Sequence, residues 1–276
     1  MTMFSIIKSG LNATGKDLAV ISNNIANAST NGFKRSEAQF EDLYFSQHNN
    51  STEKATGMGV KNIKPRQSFA QGSFQQTNGS LDLAIMGEGF FILGAPIGRA
   101  EAGLDSFKYT RDGSFQLDRL GNLVNTEGLP VLGQSYTDGI PGALNSSINV
   151  PMSLKNESGD PLVVSELRVR PDGIIEATYG LDTTIQAGRI QIADFVNEHG
   201  LQNIGTSSFQ ETPESGIAQI GYPNTNQLGK LLPGALEKSN TDITNELVTM
   251  LRTQQAFSGC SKLMQTDTDT IKRLIS

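Results

Sequence analysis

The sequence predicts an α+β protein whose long N- and C-terminal helices form a coiled-coil pair and whose centre is an antiparallel β-rich domain. Apolar residues recur in steps of three and four at both ends, as in amphipathic helices. Short alternating stretches separated by glycine-rich turns fill the middle, and 276 residues are enough to bury a sizeable core. We divide the chain into residues 1–30 and 236–276 as the two halves of a helical core domain, 31–70 as an extended or β connector, and 71–235 as the β-rich domain.

The N-terminal stretch has the spacing of a coiled-coil seam over residues 4–27. Six of its seven seam positions are apolar, and the exception is Thr14. The apolar members are Phe4, Ile7, Leu11, Leu18, Ile21 and Ile25. A helix of this length would extend about 36 Å. We expect it to end near Asn31–Gly32, because glycine can adopt the left-handed conformation of a helix C-terminus.

Residues 243–275 repeat this spacing at the other end of the chain. The apolar seam members are Ile243, Leu247, Met250, Phe257, Met264, Ile271 and Ile275, and the polar ones are Gln254, Ser261 and Thr268. Residues 239–242 offer several N-caps. Because polar residues interrupt the seam, we expect both helices to be incomplete until they meet each other or neighbouring chains. The alternative is that the two helices simply close one private core.

The middle of the chain is typical of an antiparallel β domain. Predicted strands cover residues 82–86, 90–93, 107–109, 114–117, 122–124, 167–170, 174–178 and 188–195. Asp112–Gly113 and Pro171–Gly173 are predicted as turns, the first as a hairpin turn. The polar stretch 46–58 is predicted as an extended or flexible connector, and residues 211–234 as rich in loops.

Composition excludes several classes of function. The formal net charge of −6 argues against nucleic-acid binding, because phosphate contacts need clustered Lys and Arg. The single cysteine, Cys260, excludes an intrachain disulfide framework. No stretch approaches the ~18 apolar residues of a membrane span, and the N-terminus lacks the features of a cleaved secretory signal. We therefore expect any export to proceed without such a signal.

Residues that could support catalysis are sparse and scattered. His48 and His199 are interpreted as solvated loop residues, and Cys260 as a packing residue on the C-terminal seam. Gly87–Gly89 lacks the third glycine and the following helix of a nucleotide-binding loop. Asp267 and Asp269 are expected to face solvent or a partner. We expect no catalytic site, no metal, no cofactor and no small-molecule substrate.

Four stretches carry a resemblance to a known family. In the same order along the chain, these stretches resemble those of the bacterial flagellar rod and hook proteins: residues 20–35, residues 80–91, residues 109–115 with 121–124, and residues 234–240 with 246–248 and 254–257. The residues that match the family motifs are Asn23, Asn24, Asn27, Gly32, Phe33, Gly87, Gly89, Phe90, Asp112 and Gly113.

The resemblance implies a structural subunit and not an enzyme. It implies export through the flagellar export apparatus without a cleaved signal, followed by helical polymerisation into a hollow tube that transmits motor torque. The terminal helices would line that tube and the β domains would lie outside. The implied partners are copies of the same chain and adjacent rod and hook proteins of the basal body.

Two alternatives stay open at this point. Within the family, the chain length favours a distal rod or a compact hook protein, and a proximal rod protein is the other possibility. From another class, the sequence also fits a monomeric β-rich binding module with its terminal helices packed on its own core.

Overall fold

The computed structural model describes residues 3–45, 56–94, 107–137, 140–155, 161–180, 183–225 and 228–275. The chain forms two compact units. Unit 1 comprises Met1–Ala28, Lys34–Ser68 and Thr241–Ser276, and unit 2 comprises Ser29–Phe33 and Phe69–Asn240. Two terminal helices and a strand-rich centre confirm the predicted α+β class.

The two helices are α1, Met3–Ala26, and α2, Ile243–Ile275. Asp242 caps α2, since its Oδ1 accepts the backbone N–H of Thr244 at 2.9 Å. The expected end of α1 near Gly32 is wrong. Gly32 does have a positive φ of 65°, but its N–H donates to the carbonyl oxygen of Glu237 at 2.8 Å. Its left-handed conformation therefore serves a connection within unit 2.

Unit 1 also contains two short antiparallel pairs. Its strands are β1 (Ser36–Glu37), β2 (Phe40–Phe45), β3 (Thr56–Asn62) and β4 (Arg66–Gln67). β1 pairs with β4, and β2 pairs with β3. The N–H of Val60 donates to the hydroxyl of Ser9 at 3.2 Å, which connects β3 to α1. Within the predicted connector, residues 46–55 lie outside the described residues and residues 56–58 belong to β3.

Unit 2 is built from antiparallel strands. They are β5 (Phe74–Gln76), β6 (Leu83–Met86), β7 (Phe90–Leu93), β8 (Lys108–Thr110), β9 (Gln116–Leu117), β10 (Leu123–Val124), β11 (Leu132–Thr137), β12 (Ile140–Pro141), β13 (Ser146–Ser147), β14 (Ser153–Lys155), β15 (Pro161–Val169), β16 (Ile174–Tyr179), β17 (Thr183–Ile190), β18 (Ile192–Asp194), β19 (Gln202–Gly205), β20 (Ser208–Gln210), β21 (Gln219–Gly221), β22 (Lys230–Pro233) and β23 (Ala235–Glu237). A seven-stranded sheet has the order β12-β11-β17-β16-β15-β14, with β13 also on β11, and a six-stranded sheet has the order β19-β20-β8-β7-β18-β21. The pairs β9–β10, β6–β22 and β5–β23 complete the described strands.

The predicted single strand over residues 188–195 is in fact two strands in different sheets. β17 belongs to the seven-stranded sheet and β18 to the six-stranded sheet. Gln191 lies between them and is buried, and its Oε1 accepts the N–H of Asn145 at 3.1 Å. The chain thus changes sheet at a residue whose polar side chain is satisfied by backbone.

The predicted hairpin turn at Asp112–Gly113 is also wrong. β8 pairs with β7 and β20, whereas β9 pairs with β10. Gly113 is required for a different reason: a Cβ at this position would lie 1.7 Å from the carbonyl oxygen of Leu83. The hairpin lies one turn later, where Gly121 has a φ of 81°. The predicted turn over residues 171–173 does join β15 to β16.

Two hydrophobic clusters fill unit 2. The larger one contains mainly aliphatic residues of β6, β7, β10, β16 and β17. The second is aromatic and includes Phe69, Phe90, Tyr109, Phe195 and Phe209. Its rings meet edge to face, with the centroids of Tyr109 and Phe195 4.8 Å apart.

Tyr109 makes this aromatic cluster sensitive to alkaline pH. Burial raises the pKa of Tyr109 above its ordinary value of 10.0. The negative charge of Glu211, which accepts a hydrogen bond from the Tyr109 hydroxyl, raises this pKa further. The folded protein therefore holds this proton more tightly than the unfolded chain. Its stabilising contribution is complete below the ordinary pKa and is lost as the pH rises above it.

We expect the free energy of unfolding, measured in urea titrations, to fall between about pH 8 and about pH 11 in both proteins. The fall should be smaller in Tyr109→Phe than in the parent. Tyr179 remains in both proteins, and burial also raises the pKa of this residue, so part of the alkaline loss should persist. Equal losses in the two proteins would contradict this assignment.

Candidate assembly interface

The helices α1 and α2 of unit 1 contact each other in antiparallel orientation. Thr253 donates its hydroxyl to Asp17 Oδ2 at 2.8 Å, and Asn24 Nδ2 donates to Glu246 Oε2 at 3.4 Å. A Cβ built on Gly10 would lie 3.6 Å from the Sγ of Cys260. From Gly10–Cys260 to Asp17–Thr253 to Asn24–Glu246, the residue on α1 moves forward by seven positions at each step and the residue on α2 moves back by seven. The contact therefore has a heptad period.

Asn24, one of the family-motif residues, ties three segments of unit 1 together. Its side-chain amide donates to the carbonyl oxygen of Ser36 at 2.8 Å and accepts the N–H of Ser36 at 3.0 Å. Glu246, on the far side of Asn24, is also 3.4 Å from Arg35 Nη1. Because Asn24 and Glu246 are both buried, these bonds hold α1, β1 and α2 in a defined arrangement. Asn23 and Asn27, by contrast, bond each other at the end of α1.

The predicted seam residues of α1 face several directions. Ile7 and Ile21 are buried, Leu11, Leu18 and Ile25 are half-buried, and Phe4 is exposed. Three residues of α1 contact α2 through a hydrogen bond or a close approach, namely Gly10, Asp17 and Asn24. Each lies one position before a predicted seam residue. The seam positions Ile7, Thr14 and Ile21 lie between them along the same side of the helix.

The predicted seam residues of α2 are mostly uncovered. Met250 and Met264 are half-buried, Ile243, Leu247, Phe257 and Ile271 are exposed, and the side chain of Ile275 lies outside the described residues. The buried positions of α2 are Glu246 and Thr253, and Cys260 is half-buried. Contact within the chain thus uses positions shifted by one residue from Leu247, Gln254 and Ser261.

The shift leaves an apolar face on the first turns of α2, which we call the outer patch. It consists of Ile243, Leu247, Val248 and Leu251. Leu247 is 47% exposed and Leu251 is 60% exposed. Residues four apart lie on one side of a helix, so Ile243, Leu247 and Leu251 form a row. A row of large apolar side chains left open to water is typical of a surface that another protein covers.

In unit 2, the family-motif residues Gly87 and Phe90 contact one partner of a buried ion pair, Arg111 with Glu237. Arg111 Nη1 and Glu237 Oε2 are 3.7 Å apart, and their side chains are 3% and 0% exposed. The motif residue Gly32 lies against the backbone of Arg111 and Asp112, whereas Gly113 lies against the carbonyl oxygen of Leu83. Phe33 is buried in the same unit, and Gly89 has a φ of 124° and lies against Ile192.

Each partner of the ion pair also holds backbone. Arg111 Nη1 donates to the carbonyl oxygen of Gly87 at 2.9 Å, and its guanidinium lies 4.9 Å from the centroid of the Phe90 ring. Glu237 Oε1 accepts the N–H of Gly72 at 2.9 Å. A Cβ on Gly32 would lie 2.4 Å from the backbone nitrogen of Asp112. Glycine at this position therefore permits the close approach of residues 29–33 to the ion pair.

Burial also affects the charge of the pair. It lowers the pKa of the Arg111 guanidinium from its ordinary value, and the negative charge of Glu237 opposes this shift. Arg111 and Glu237 were not singled out from the sequence, although each lies inside a stretch that resembles the family. No local pattern marks them as buried, because each stands beside another charged residue, Asp112 or Lys238.

The described residues contain no group of three or more His, Cys, Asp or Glu side chains that could hold a metal ion. His199 is exposed, with its ring centroid 6.0 Å from that of Phe69, and His48 lies outside the described residues. Asp267 is half-buried and Asp269 is exposed. Over the same described part of the chain, neither helix is long and apolar enough to cross a membrane.

An apolar helix face that the described residues leave exposed, on a chain whose family-motif residues build a structural framework, is typical of a structural subunit. Residues 6–34 match the family described as flagella basal body rod protein, residues 84–177 the flagellar hook protein FlgE/F/G D1 domain, and residues 232–276 the flagellar basal body rod FlgEFG protein C-terminal region. The chain belongs to the flagellar rod and hook protein family, which is a family of structural proteins and not of enzymes.

Several curated relatives resemble the chain over nearly its whole length. The flagellar basal-body rod protein FlgG of Buchnera aphidicola subsp. Schizaphis graminum is 36% identical over 281 aligned positions, covering 98% of this chain and 96% of the relative. FlgG of Borreliella burgdorferi is 34% identical, covering 94% and 91%. The flagellar hook protein FlgE of Escherichia coli is 24% identical over 412 aligned positions, covering 99% of both chains.

Proposed function

We propose that this chain is a subunit of the flagellar rod that polymerises helically into a hollow tube and transmits motor torque. A structural role in the axis of the flagellum, within the basal body or hook, follows from its family. The observation that supports polymerisation most directly is the outer patch of α2, an apolar row that the described part of this chain leaves open. An unsatisfied face that meets a different surface on an identical subunit generates an open helical array.

Chain length favours a rod subunit over a hook subunit. FlgG relatives align over 281 and 272 positions with a chain of 276 residues, which leaves room for few gaps. Alignment with the FlgE hook protein takes 412 positions and therefore requires long gaps in this chain. We propose a distal rod position, with a hook or a proximal rod position as the alternatives within the family.

We propose that α1 and α2 form a coiled-coil pair in the assembled subunit. The heptad period of their contacts supports this, since coiled coils repeat every seven residues. In the polymer, residues 1–30 and 236–276 would act as the helical core domain, 31–70 as the connector and 71–235 as the β-rich domain. The seam residues Leu11, Leu18, Ile25, Leu247, Phe257 and Ile271 would be covered there by neighbouring subunits.

The proposed partners are copies of this chain, adjacent rod and hook proteins, and the flagellar export apparatus, which would pass the chain without a cleaved signal. We propose no catalytic activity, cofactor, nucleic acid or small-molecule substrate. A monomeric binding module would require the terminal helices to close a private core. The exposure of Leu247 and Leu251 disfavours that alternative.

Hydrogen exchange tests the proposal when it is measured on the purified monomer and on its polymer. We expect amides of residues 4–27 and 243–275 to be only moderately protected in the monomer, where α1 and α2 pair but much of α2 is exposed, and to be strongly protected after assembly. Amides of the buried strands β7 and β16 should be protected in both states and serve as the reference. Strong protection of both helices already in the monomer would favour the binding module.

A further inference from the structure

Three layers of the contact between α1 and α2, seven residues apart on each helix, contain polar or small side chains. These layers are Gly10 with Cys260, Asp17 with Thr253, and Asn24 with Glu246. Between two of these layers, a Cβ on Gly15 would lie 3.9 Å from the Phe257 ring. The contact between the helices therefore carries polar side chains at intervals of seven residues.

Hydrophobicity alone does not explain why the helices pair on this side. Each α1 residue of a polar layer is followed directly by an apolar one, namely Leu11, Leu18 and Ile25. Rotating α1 by about 100° would bring those residues to the contact instead. On α2, Leu247 likewise follows Glu246 and is left 47% exposed. The chain thus pairs through its more polar side and leaves more apolar surface open.

A slip of the helices by one heptad disrupts these layers in either direction. In one direction Asp17 would lie opposite Glu246, so that two carboxylates would meet. In the other direction Asp17 would lie opposite Cys260 and lose the hydroxyl of Thr253 that donates to it in the native register. Polar pairs of this kind select one register of a coiled coil against its competitors.

We infer that Asp17 and Thr253, together with Asn24 and Glu246, are specificity-determining residues that fix the register and the facing sides of α1 and α2. Asn24 also fixes the rotation of α1, because it bonds both backbone groups of Ser36. The consequence is that every subunit presents the same outer patch. That consequence for assembly rests on the proposed function, whereas the register itself is a property of the single chain.

Disulfide trapping in the full-length chain tests the inference, because the chain has only one cysteine. Gly10→Cys with the native Cys260 reports the native register, since the two positions lie in one layer. Met3→Cys with the native Cys260 reports the slip of one heptad that brings Asp17 opposite Glu246, because that slip would place residue 3 opposite residue 260. Non-reducing gels of dilute monomer measure both intrachain products under the same oxidising conditions.

We expect the native-register product to dominate in the parent. Asp17→Leu should raise the ratio of slipped to native product by about tenfold, because the variant removes the carboxylate that opposes slipping. Lys16→Leu is the matched control, since it adds the same side chain at the neighbouring exposed position and should leave the ratio unchanged. An unchanged ratio in Asp17→Leu would overturn the inference.

Thr253→Val provides the second variant in case Asp17→Leu does not fold, as judged by circular dichroism. It deletes only the hydroxyl that donates to Asp17 and should raise the ratio in the same direction. No increase with this variant would also overturn the inference. Sedimentation of the parent chain measures polymerisation separately, so a failure to assemble would count against the proposed function and not against the register.

Discussion

Replacing Leu247 with aspartate is expected to leave the monomer folded and to prevent its incorporation into the polymer. Leu247 is 47% exposed in the single chain, so the substitution removes little packing there. In the polymer, an aspartate would be buried at the outer patch without a partner. A penalty of about 3 kcal/mol per contact would lower the affinity of a subunit for the growing end by about a hundredfold. Sedimentation and the swimming of cells that carry the variant would measure the effect.

Two matched variants make this result interpretable. Leu247→Met keeps an apolar side chain of similar volume and should assemble normally. Thr249→Asp adds the same charge to an exposed position on another side of α2 and should have a much smaller effect. Normal motility of cells that carry Leu247→Asp would contradict the assignment of the outer patch to the assembly interface.

Replacing Glu237 with alanine is expected to destabilise unit 2 by about 3–5 kcal/mol. The guanidinium of Arg111 would then be buried without its counter-charge, and the N–H of Gly72 would lose its acceptor. Urea unfolding of the full chain, followed by circular dichroism, measures the loss. An Arg111→Met/Glu237→Met double variant should recover most of the stability, because removing both charges leaves no charge buried alone.

Glu176→Ala is the matched control for this experiment. Arg170 and Glu176 form an ion pair at 3.4 Å whose side chains are partly open to solvent. Its loss should change the free energy of unfolding by about 0–1 kcal/mol. A similar small change for Glu237→Ala would mean that the Arg111–Glu237 pair is not needed to hold the framework.

The sequence predicted the elements whose information is local. The steps of three and four over residues 4–27 and 243–275 lie within one residue of the bounds of α1 and α2, although the glycine signal at Gly32 misplaced the end of α1. Pro171–Gly173 marked the turn between β15 and β16. These features depend on neighbouring residues alone, either through helical periodicity or through the preferred conformations of turn residues. No comparable local rule tells whether α1 contacts α2 through Leu11, Leu18 and Ile25 or through the residue that precedes each of them. The actual contacts of α1 and α2 were therefore not predictable in this way.

Features that depend on distant residues were missed. The chain breaks between β17 and β18 at Gln191 because the residues on either side of it pair with different sheets. The sequence does not reveal this break, because the pattern of apolar residues continues across it. Asp112–Gly113 has the composition of a hairpin turn, but its glycine is required by the backbone of Leu83. The Arg111–Glu237 pair joins residues more than a hundred positions apart. Only the three-dimensional structure brings these groups together.

The wide separation of α1 and α2 along the chain has a consequence for biosynthesis. Asn24 and Glu246 are 222 residues apart, and Asp17 and Thr253 are 236 residues apart. At a translation rate of about 5–20 residues per second, about 10 to 45 s pass between the synthesis of the two helices. Residues 69–240 have all emerged by then and can fold among themselves. The first helix to leave the ribosome is therefore among the last segments to find its partner.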